Sequence, residues 1–144
     1  MIEPIFELVA VERLRIHEET DPVHVAELAR AIAEAGVVQE PIWVARGSEV
    51  ILNGHHRYAA LLQLGAERVP AWVLEYDAPE VRLDRWSPGP PITKAEVVAR
   101  ARAGHLFSIQ TTRHTIAADL PARPTPLTQL GVRPRRAEAR PPGT

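Results

Sequence analysis

The 144-residue chain contains no cysteine. This absence excludes disulfide bonds, thiolate metal sites and cysteine-based redox chemistry. The chain also lacks a long apolar run and the basic start of a signal peptide, so we expect a cytoplasmic protein that makes no membrane contact. Lysine occurs once beside sixteen arginines, and the net charge of −1 gives no whole-molecule attraction for nucleic acid.

The composition that remains is typical of one folded domain with a tail. Apolar residues make up 45% of the chain, which is enough for a hydrophobic core. Residues 121–144 are rich in proline and arginine and carry no periodic apolar face. We therefore expect a folded domain over residues 1–120 and a largely mobile, basic tail over residues 121–144.

The hydrophobic pattern along the folded part predicts a β-α-β-β-α-β order followed by one more helix. Apolar residues recur at helical spacing after a capping position at Thr20 or Asp21, and Gly36 ends that helix. Thr93 and Glu96 form a capping-box pattern at the start of the last helix. The expected strands cover residues 6–16, 41–45, 49–52 and 69–76, and residues 106–116 are expected to be irregular or extended. The fold class is therefore α+β, with a small mixed sheet that helices must cover on at least one face.

The most informative segment is residues 53–57, which read Asn-Gly-His-His-Arg. They follow the apolar run at residues 50–52 and lead into a helical pattern that continues from Tyr58. A strand that turns directly into a helix at a glycine aims several free backbone N–H groups at one point, where the helix dipole adds partial positive charge. We expect the histidine and arginine side chains to add more. The turn therefore predicts a site for phosphate or another anion.

Two plainer interpretations of this turn stay open on the residues alone. It could be an ordinary tight connection with exposed polar side chains. His55 and His56 could also bind a metal, but adjacent histidines point in different directions and lack the HxH or HxxxH spacing of a chelating pair. The pattern therefore favours an anion over a metal.

Residues 51–60, with the Leu-Gly-Ala at 64–66 and the Val-Pro at 69–70, resemble the ParB/sulfiredoxin-like superfamily. The helix that ends at Gly36 and the Val-Gln-Glu-Pro-Ile at 38–42 are similar to it as well. In that superfamily the glycine turn binds nucleotide phosphates. The resemblance implies the same small mixed sheet with covering helices.

Three branches of this superfamily differ in chemistry. Sulfiredoxins use a cysteine in the turn, which this chain lacks. ParB partition proteins usually carry Gly-Glu-Arg-Arg there, bind CTP and continue into a helix-turn-helix DNA reader, for which this sequence is too short. The free-serine kinases, which phosphorylate L-serine to O-phospho-L-serine, resemble this chain at the His-His-Arg turn. They are also similar to it at three further places, which are His17-Glu18, Trp86, and Phe107-Ser108 with Thr111-Thr112-Arg113-His114.

This resemblance implies a role for each matched residue. Glu18 would be the general base for the serine hydroxyl, and His56 and Arg57 would complete the catalytic set. ADP or ATP would bind with Mg²⁺, and Asn53 would approach the metal of the Mg-nucleotide. The implied nucleotide-binding residues are Asn53, Gly54, His55, His56, Arg57 and Thr111. The implied serine-binding residues are Glu18, Trp86, Thr112, Arg113 and His114.

Without the resemblance, these residues have plainer interpretations. Glu18 would be a solvated glutamate beside Glu19, and residues 111–114 would be a polar loop. Trp86 would be a partly buried core aromatic. Only the family resemblance identifies these residues as candidate site residues.

Two positions depart from the kinases that the chain resembles. Asn53 stands where they usually carry Asp, which keeps the shape but loses a charge, so magnesium coordination or nucleotide preference could change. Gln110 stands where they tend to carry Lys, which removes a possible phosphate contact. The alternative function is a non-catalytic ParB-like module that binds CTP and associates with DNA, to which the basic residues 121–144 would add a weak, salt-sensitive attraction.

Overall fold

The β-strands form one four-stranded sheet and two smaller pairs in the computed structural model, which describes residues 2–133. The strands are β1 (Ile5–Ala10), β2 (Val37–Val38), β3 (Ile42–Ala45), β4 (Ile51–Asn53), β5 (Arg68–Leu74), β6 (Val81–Arg85), β7 (Thr112–Ile116) and β8 (Thr125–Pro126). The α-helices are α1 (Pro22–Ala35), α2 (His55–Gln63) and α3 (Lys94–Ala103), and short 3₁₀ helices cover Val11–Arg13 and Leu127–Leu130. The predicted α+β class is confirmed.

The main sheet has the strand order β1-β5-β3-β4 and is mixed, as expected. β5 runs antiparallel to β1 and parallel to β3, and β3 runs antiparallel to β4. Alternate residues of β5 face opposite sides, because side chains alternate along a strand. Ala71 and Val73 belong to the core under α1 and α2, whereas Trp72 and Leu74 belong to a second core that includes Val97 of α3. The sheet therefore lies between two layers.

Local signals explain where α1 and α3 begin and end. The side chain of Asp21 accepts a hydrogen bond from the backbone N–H of Val23 at 2.9 Å, so Asp21 rather than Thr20 is the cap. Thr93 caps α3 in the same way, through the N–H of Glu96 at 3.1 Å. Neither of these helices, nor α2, is long and apolar enough to cross a membrane.

The β6–β7 pair was not fully predicted. β6 pairs antiparallel with β7, so that Asp84 lies opposite Arg113 and Leu83 lies opposite His114. β6 was not predicted, although Val81 and Leu83 alternate there with charged residues. Only an irregular or extended segment was expected where β7 forms. The pair brings residues 112–114 beside the main sheet.

The expected domain boundary at residue 120 differs from the structure. β8 pairs with β2, and Leu127 and Leu130 are buried in the core under α1 and α2. The indole N–H of Trp72 donates to the carbonyl of Pro121 at 3.2 Å. Residues 121–133 therefore belong to the folded domain. Their apolar residues do not recur at a regular spacing, so the sequence pattern did not indicate that they are buried. The rest of the expected tail, residues 134–144, lies outside the described part of the chain.

Candidate active site

A polar cleft of about 220 Å³ lies where β4 ends and α2 begins. Four separate segments of the chain form its walls. The lining residues are Glu18, Glu19, Leu52, Asn53, Gly54, His55, His56, Trp86, Gln110, Thr112, Arg113 and His114. Nine of the eleven residues that the sequence analysis singled out therefore meet in one place, and the other two, Arg57 and Thr111, do not line it.

Gly54 makes the abrupt turn from β4 into α2 possible. Its φ of 100° lies in the left-handed region that favours glycine. A Cβ atom there would lie 2.6 Å from Cγ2 of Ile42, closer than packed atoms allow. No side chain caps α2, so the first amides of this helix keep free N–H groups at the cleft. This is the anion-binding geometry that the turn predicted.

The two histidines of the turn are held by backbone donors. Nε2 of His55 accepts a hydrogen bond from the N–H of His17 at 3.1 Å, and Nε2 of His56 accepts one from the N–H of Asp21 at 3.0 Å. An imidazole that accepts at Nε2 carries its proton on Nδ1 and is neutral. Burial lowers the pKa of both rings, and neighbouring histidines lower it further, His17 for His55 and His24 for His56.

The expectation that these histidines add positive charge is therefore wrong for the protein without a ligand. His55 and His56 are neutral because burial disfavours the imidazolium and because each Nε2 is already an acceptor. Each ring keeps one N–H donor, on Nδ1. The positive character of the turn comes from the helix itself.

Arg57 faces away from the cleft. One guanidinium N–H donates to the carbonyl of Pro41 at 3.0 Å, and Glu40 lies near it. Burial lowers the pKa of this guanidinium. Arg57 lines a second cavity of about 330 Å³, which we name the apolar groove. The other residues of the apolar groove are Leu28, Ala31, Ile32, Ala35, Val37, Val38, Gln39 and Glu40.

Glu18 is fixed at the cleft by three donors. Oε1 accepts the backbone N–H of Thr111 at 3.2 Å, and Oε2 accepts the N–H of Thr112 at 3.3 Å and its hydroxyl at 2.6 Å. The backbone on either side of Glu18 is bonded to Phe107, through the carbonyl of His17 and the N–H of Glu19. Glu18 is buried, whereas Glu19 is exposed. The plain interpretation of Glu18 as a solvated glutamate does not describe this arrangement.

The residues of segment 111–114 have different surroundings. The hydroxyl of Thr111 donates to the carbonyl of Ser108 at 2.8 Å, so this side chain contacts its own turn. Arg113 is exposed and its guanidinium lies 4.8 Å from the ring centre of Trp86, which is itself 59% exposed. His114 is buried and shares a 2.7 Å hydrogen bond with the hydroxyl of Tyr76. Trp86 is therefore a rim residue of the cleft rather than a core aromatic.

Sequence reasoning missed the buried groups behind the cleft. His17 appeared only as half of a His-Glu pair, yet its Nε2 lies 2.8 Å from the hydroxyl of Thr112. Burial lowers the pKa of His17 to about 4 and that of His114 to about 3. Tyr76 is 38 residues from His114 in the chain, so no local pattern could have joined them.

Comparison with known proteins gives a matching family and several sequence relatives. Residues 5–84 match the ParB N-terminal domain family. The ATP-dependent L-serine kinase of Staphylothermus marinus is 36% identical over 91 residues, which are 60% of this chain and 35% of that protein. The ADP-dependent L-serine kinase SerK of Thermococcus kodakarensis is 27% identical over 106 residues, 71% of this chain and 44% of that protein.

A solved structure extends the likeness over most of the chain. A free serine kinase in complex with AMP superposes with a TM-score of 0.77 at 16% identity, and the match covers 88% of this chain and 93% of that one. At this identity the likeness establishes the fold. The chain spans less than half the length of the curated relatives named above. Since the family match covers more than half of the 144 residues, the chain belongs to the ParB N-terminal domain family.

Proposed function

We propose that the chain transfers a phosphoryl group from ADP or ATP to the hydroxyl of free L-serine and releases O-phospho-L-serine. The observation that carries this proposal is one cleft that holds both a fixed carboxylate, Glu18, and the free amides at the start of α2. Transfer to an alcohol needs a proton acceptor and a receiver for phosphate charge, and these two groups supply them. The L-serine kinase names of the relatives support the same activity.

The phosphates of the nucleotide bind at residues 53–57 in this proposal. Gly54 lets β4 turn directly into α2, which leaves the first amides of the helix open to a phosphate, and the Nδ1–H groups of His55 and His56 add donors. The base occupies the apolar groove, whose walls suit a flat apolar ring. Arg57 connects the two places, because it lines the apolar groove and its Nη1 lies 2.9 Å from where a Cβ of Gly54 would be.

Serine binds at the other side of the cleft. Arg113 holds its α-carboxylate, since a guanidinium can bind a carboxylate through two parallel hydrogen bonds. Trp86 covers the substrate from the rim, and His114 lies at the buried end. Glu18 takes the hydroxyl proton as the serine oxygen bonds to phosphorus and the bond from phosphorus to the leaving nucleotide breaks.

Mg²⁺ is expected to arrive with the nucleotide. The described residues contain no group of three or more His, Asp or Glu side chains that could hold a metal ion. The amide oxygen of Asn53 fits Mg²⁺, which takes oxygen ligands and usually needs only one or two from the protein beside phosphates and water. When bound, the ion neutralises phosphate charge.

The test is phosphoserine formation with ³²P-labelled ATP and ADP as separate donors, with L-alanine as the acceptor that lacks a hydroxyl. We expect labelled phosphoserine with L-serine alone. Glu18→Gln should lower kcat by about 10²- to 10⁴-fold, since it removes the proton acceptor. Glu19→Gln, a matched change on the neighbouring exposed glutamate, should retain most of the turnover.

Two outcomes would contradict the proposal. No phosphoserine from either donor, together with tight CTP binding in a calorimetric titration, would favour a non-catalytic nucleotide-binding module. Turnover that is unchanged in Glu18→Gln would show that another group accepts the proton.

A further inference from the structure

The carboxylate of Glu18 is the outer end of a hydrogen-bonded chain that runs into the core. Its Oε2 atom lies 2.6 Å from the hydroxyl oxygen of Thr112, which lies 2.8 Å from Nε2 of His17. His17 is fully buried and Thr112 is 7% exposed. These hydrogen bonds therefore join a cleft residue, through a nearly buried hydroxyl, to an imidazole that solvent does not reach.

The number of protons available allows only one donor-to-acceptor direction for these hydrogen bonds. An ionised carboxylate only accepts hydrogen bonds, so the single hydroxyl proton of Thr112 goes to Glu18. The hydroxyl oxygen must then accept from His17, which requires the Nε2–H tautomer. Nδ1 of His17 has no hydrogen-bond partner among the described residues. A neutral ring with its proton on Nε2 is the form that the contact with Thr112 requires, although the backbone of Ile51 also lies near the ring.

The same counting separates the two oxygens of Glu18. Oε2 accepts from both the N–H and the hydroxyl of Thr112, which uses its two lone pairs. Among residues 2–133, Oε1 accepts only from the N–H of Thr111, at 3.2 Å. One lone pair of Oε1 is therefore left for a ligand.

We propose that Thr112 and His17 are positioning residues that direct the proton of the acceptor hydroxyl to Oε1 of Glu18. This inference rests on the proposed function, in which Glu18 is the general base. In the step, the hydroxyl proton moves to Oε1 while the hydroxyl oxygen bonds to phosphorus and the bond from phosphorus to the nucleotide oxygen breaks. Oε2 stays bonded to Thr112 throughout, so the carboxylate cannot turn away from the substrate.

This role differs from the one that the family resemblance implied for Thr112, which was serine binding. Its hydroxyl proton is committed to Glu18 and one lone pair of its oxygen to His17, so the hydroxyl has no proton left to donate to a substrate. Loss of the hydroxyl should therefore affect kcat rather than the serine KM. A displacement of a reacting group by about 1 Å costs about 100-fold in rate, which sets the scale of the effect.

The experiment compares near-isosteric threonine variants of the full chain in the phosphoserine assay. Thr112→Val should lower kcat by about 10- to 100-fold and leave both KM values nearly unchanged. Thr112→Ser keeps the hydroxyl and should restore most of the rate. Thr125→Val is the matched control, because Thr125 is also buried but bonds to the carbonyl of Arg123 and lines no part of the cleft.

The histidine is tested by a second pair of variants. His17→Gln can place an amide N–H near the original Nε2 position. It should therefore keep more activity than His17→Asn, whose shorter side chain does not reach that position. Equal loss in the two variants, or full activity in Thr112→Val, would overturn the inference. A wild-type chain that forms no phosphoserine would instead overturn the proposed function, so the two failures are distinguishable.

A measurement on the unmodified chain covers the case in which the variants do not fold. ¹⁵N NMR of the imidazole of His17 at neutral pH should find the proton on Nε2 and a bare Nδ1. This readout needs no substrate and no turnover. A proton on Nδ1 would mean that the hydroxyl of Thr112 donates to His17 instead, and the proposed chain would be wrong.

Discussion

The cleft and the apolar groove lie on either side of the start of α2, and they differ in how their walls are made. The cleft takes polar residues from four segments, and several of them, such as Glu18, His55 and His56, are bonded to one another's segments or to backbone groups. The apolar groove takes four of its residues from one face of α1 and most of the others from the segment that follows it. The cleft therefore depends on long-range contacts, whereas the apolar groove depends on one helix and its neighbour.

This difference matters for the proposed function because the two ends of a nucleotide need different surroundings. Phosphate charge needs donors at set positions, and such donors work best when the protein holds them before the ligand arrives. A base needs a shape and an apolar surface, which tolerate small adjustments. Substitutions in the cleft should therefore reduce binding and activity more than substitutions in the apolar groove.

Gly54→Ala should have the largest effect, because it damages both places. The new Cβ would meet Ile42 and Arg57, and the residue would keep a strained positive φ. We expect a loss of about 2–5 kcal/mol in the free energy of unfolding, measured with urea, and no nucleotide binding by calorimetry. Gly65→Ala is the control, since its φ is also positive but nothing lies within 4 Å of its Cβ position. Normal nucleotide binding by Gly54→Ala would mean that the turn is not part of the nucleotide site.

Two arginine variants should separate the cleft from the apolar groove. Arg113→Met should raise the serine KM by about 10- to 100-fold, the value of a charge-assisted hydrogen bond, and leave the nucleotide Kd unchanged. Arg57→Met should do the reverse, because Arg57 lines the apolar groove and not the cleft. Equal effects of both variants on both ligands would mean that the two cavities do not work as separate subsites.

The pH dependence of stability should trace to the cleft side of the molecule, where His17 and His114 are buried. Their folded-state pKa values, about 4 and about 3, lie below the unfolded value of 6.5, so the unfolded chain binds more protons between these limits. Their stabilising contribution is complete above about pH 6.5 and is lost as the pH falls. Each histidine should change the free energy of unfolding by about 1.4 kcal/mol per pH unit in that window.

Urea titrations at pH 7.5, 6.5 and 5.5 measure this slope. His114→Gln removes one of the histidines with a lowered pKa, which also include His55, and should make the slope shallower by about 1.4 kcal/mol per pH unit. Stability that stays level from pH 6.5 to 5.5 would mean that these rings are charged, or accessible, in the folded protein.

Ala31→Leu should have the smallest effect. Ala31 is an exposed residue of α1 that lines the apolar groove, so a larger side chain narrows the groove without disturbing the core. We expect the nucleotide Kd to rise by about tenfold while the serine KM stays constant. Ala33→Leu, on a face of α1 that does not line the groove, is the matched control. An unchanged Kd in Ala31→Leu would mean that the base binds elsewhere.

The fold was predictable to the extent that its signals are local. Asp21, Gly36 and Thr93 mark helix ends through contacts with residues two to four positions away. Gly54 marks the turn into α2 because only glycine fits there. The packing of residues 121–133 could not be predicted in this way, since Leu127 and Leu130 are buried by residues far away in the chain.

The site was predictable as a set of residues but not as an arrangement. A family resemblance predicted that Glu18, Trp86 and Arg113 share one site, and in the structure they line one cleft. The same resemblance joined Arg57 to that set, and the folded chain turns it toward Pro41 instead. The direction in which Arg57 points depends on which carbonyl accepts its hydrogen bond. That carbonyl belongs to Pro41, which lies far from Arg57 in the chain.

By itself, the sequence determined the order of the main-sheet strands and the three α-helices, and the glycine turn that exposes amides at the start of α2. These follow from spacing and from backbone conformations that few residues can adopt. Only the tertiary structure decided that His55 and His56 are neutral and that Glu18 is bonded through Thr112 to His17. The physical reason is that protonation depends on burial and on donors supplied by distant segments, and these exist only once the chain has folded.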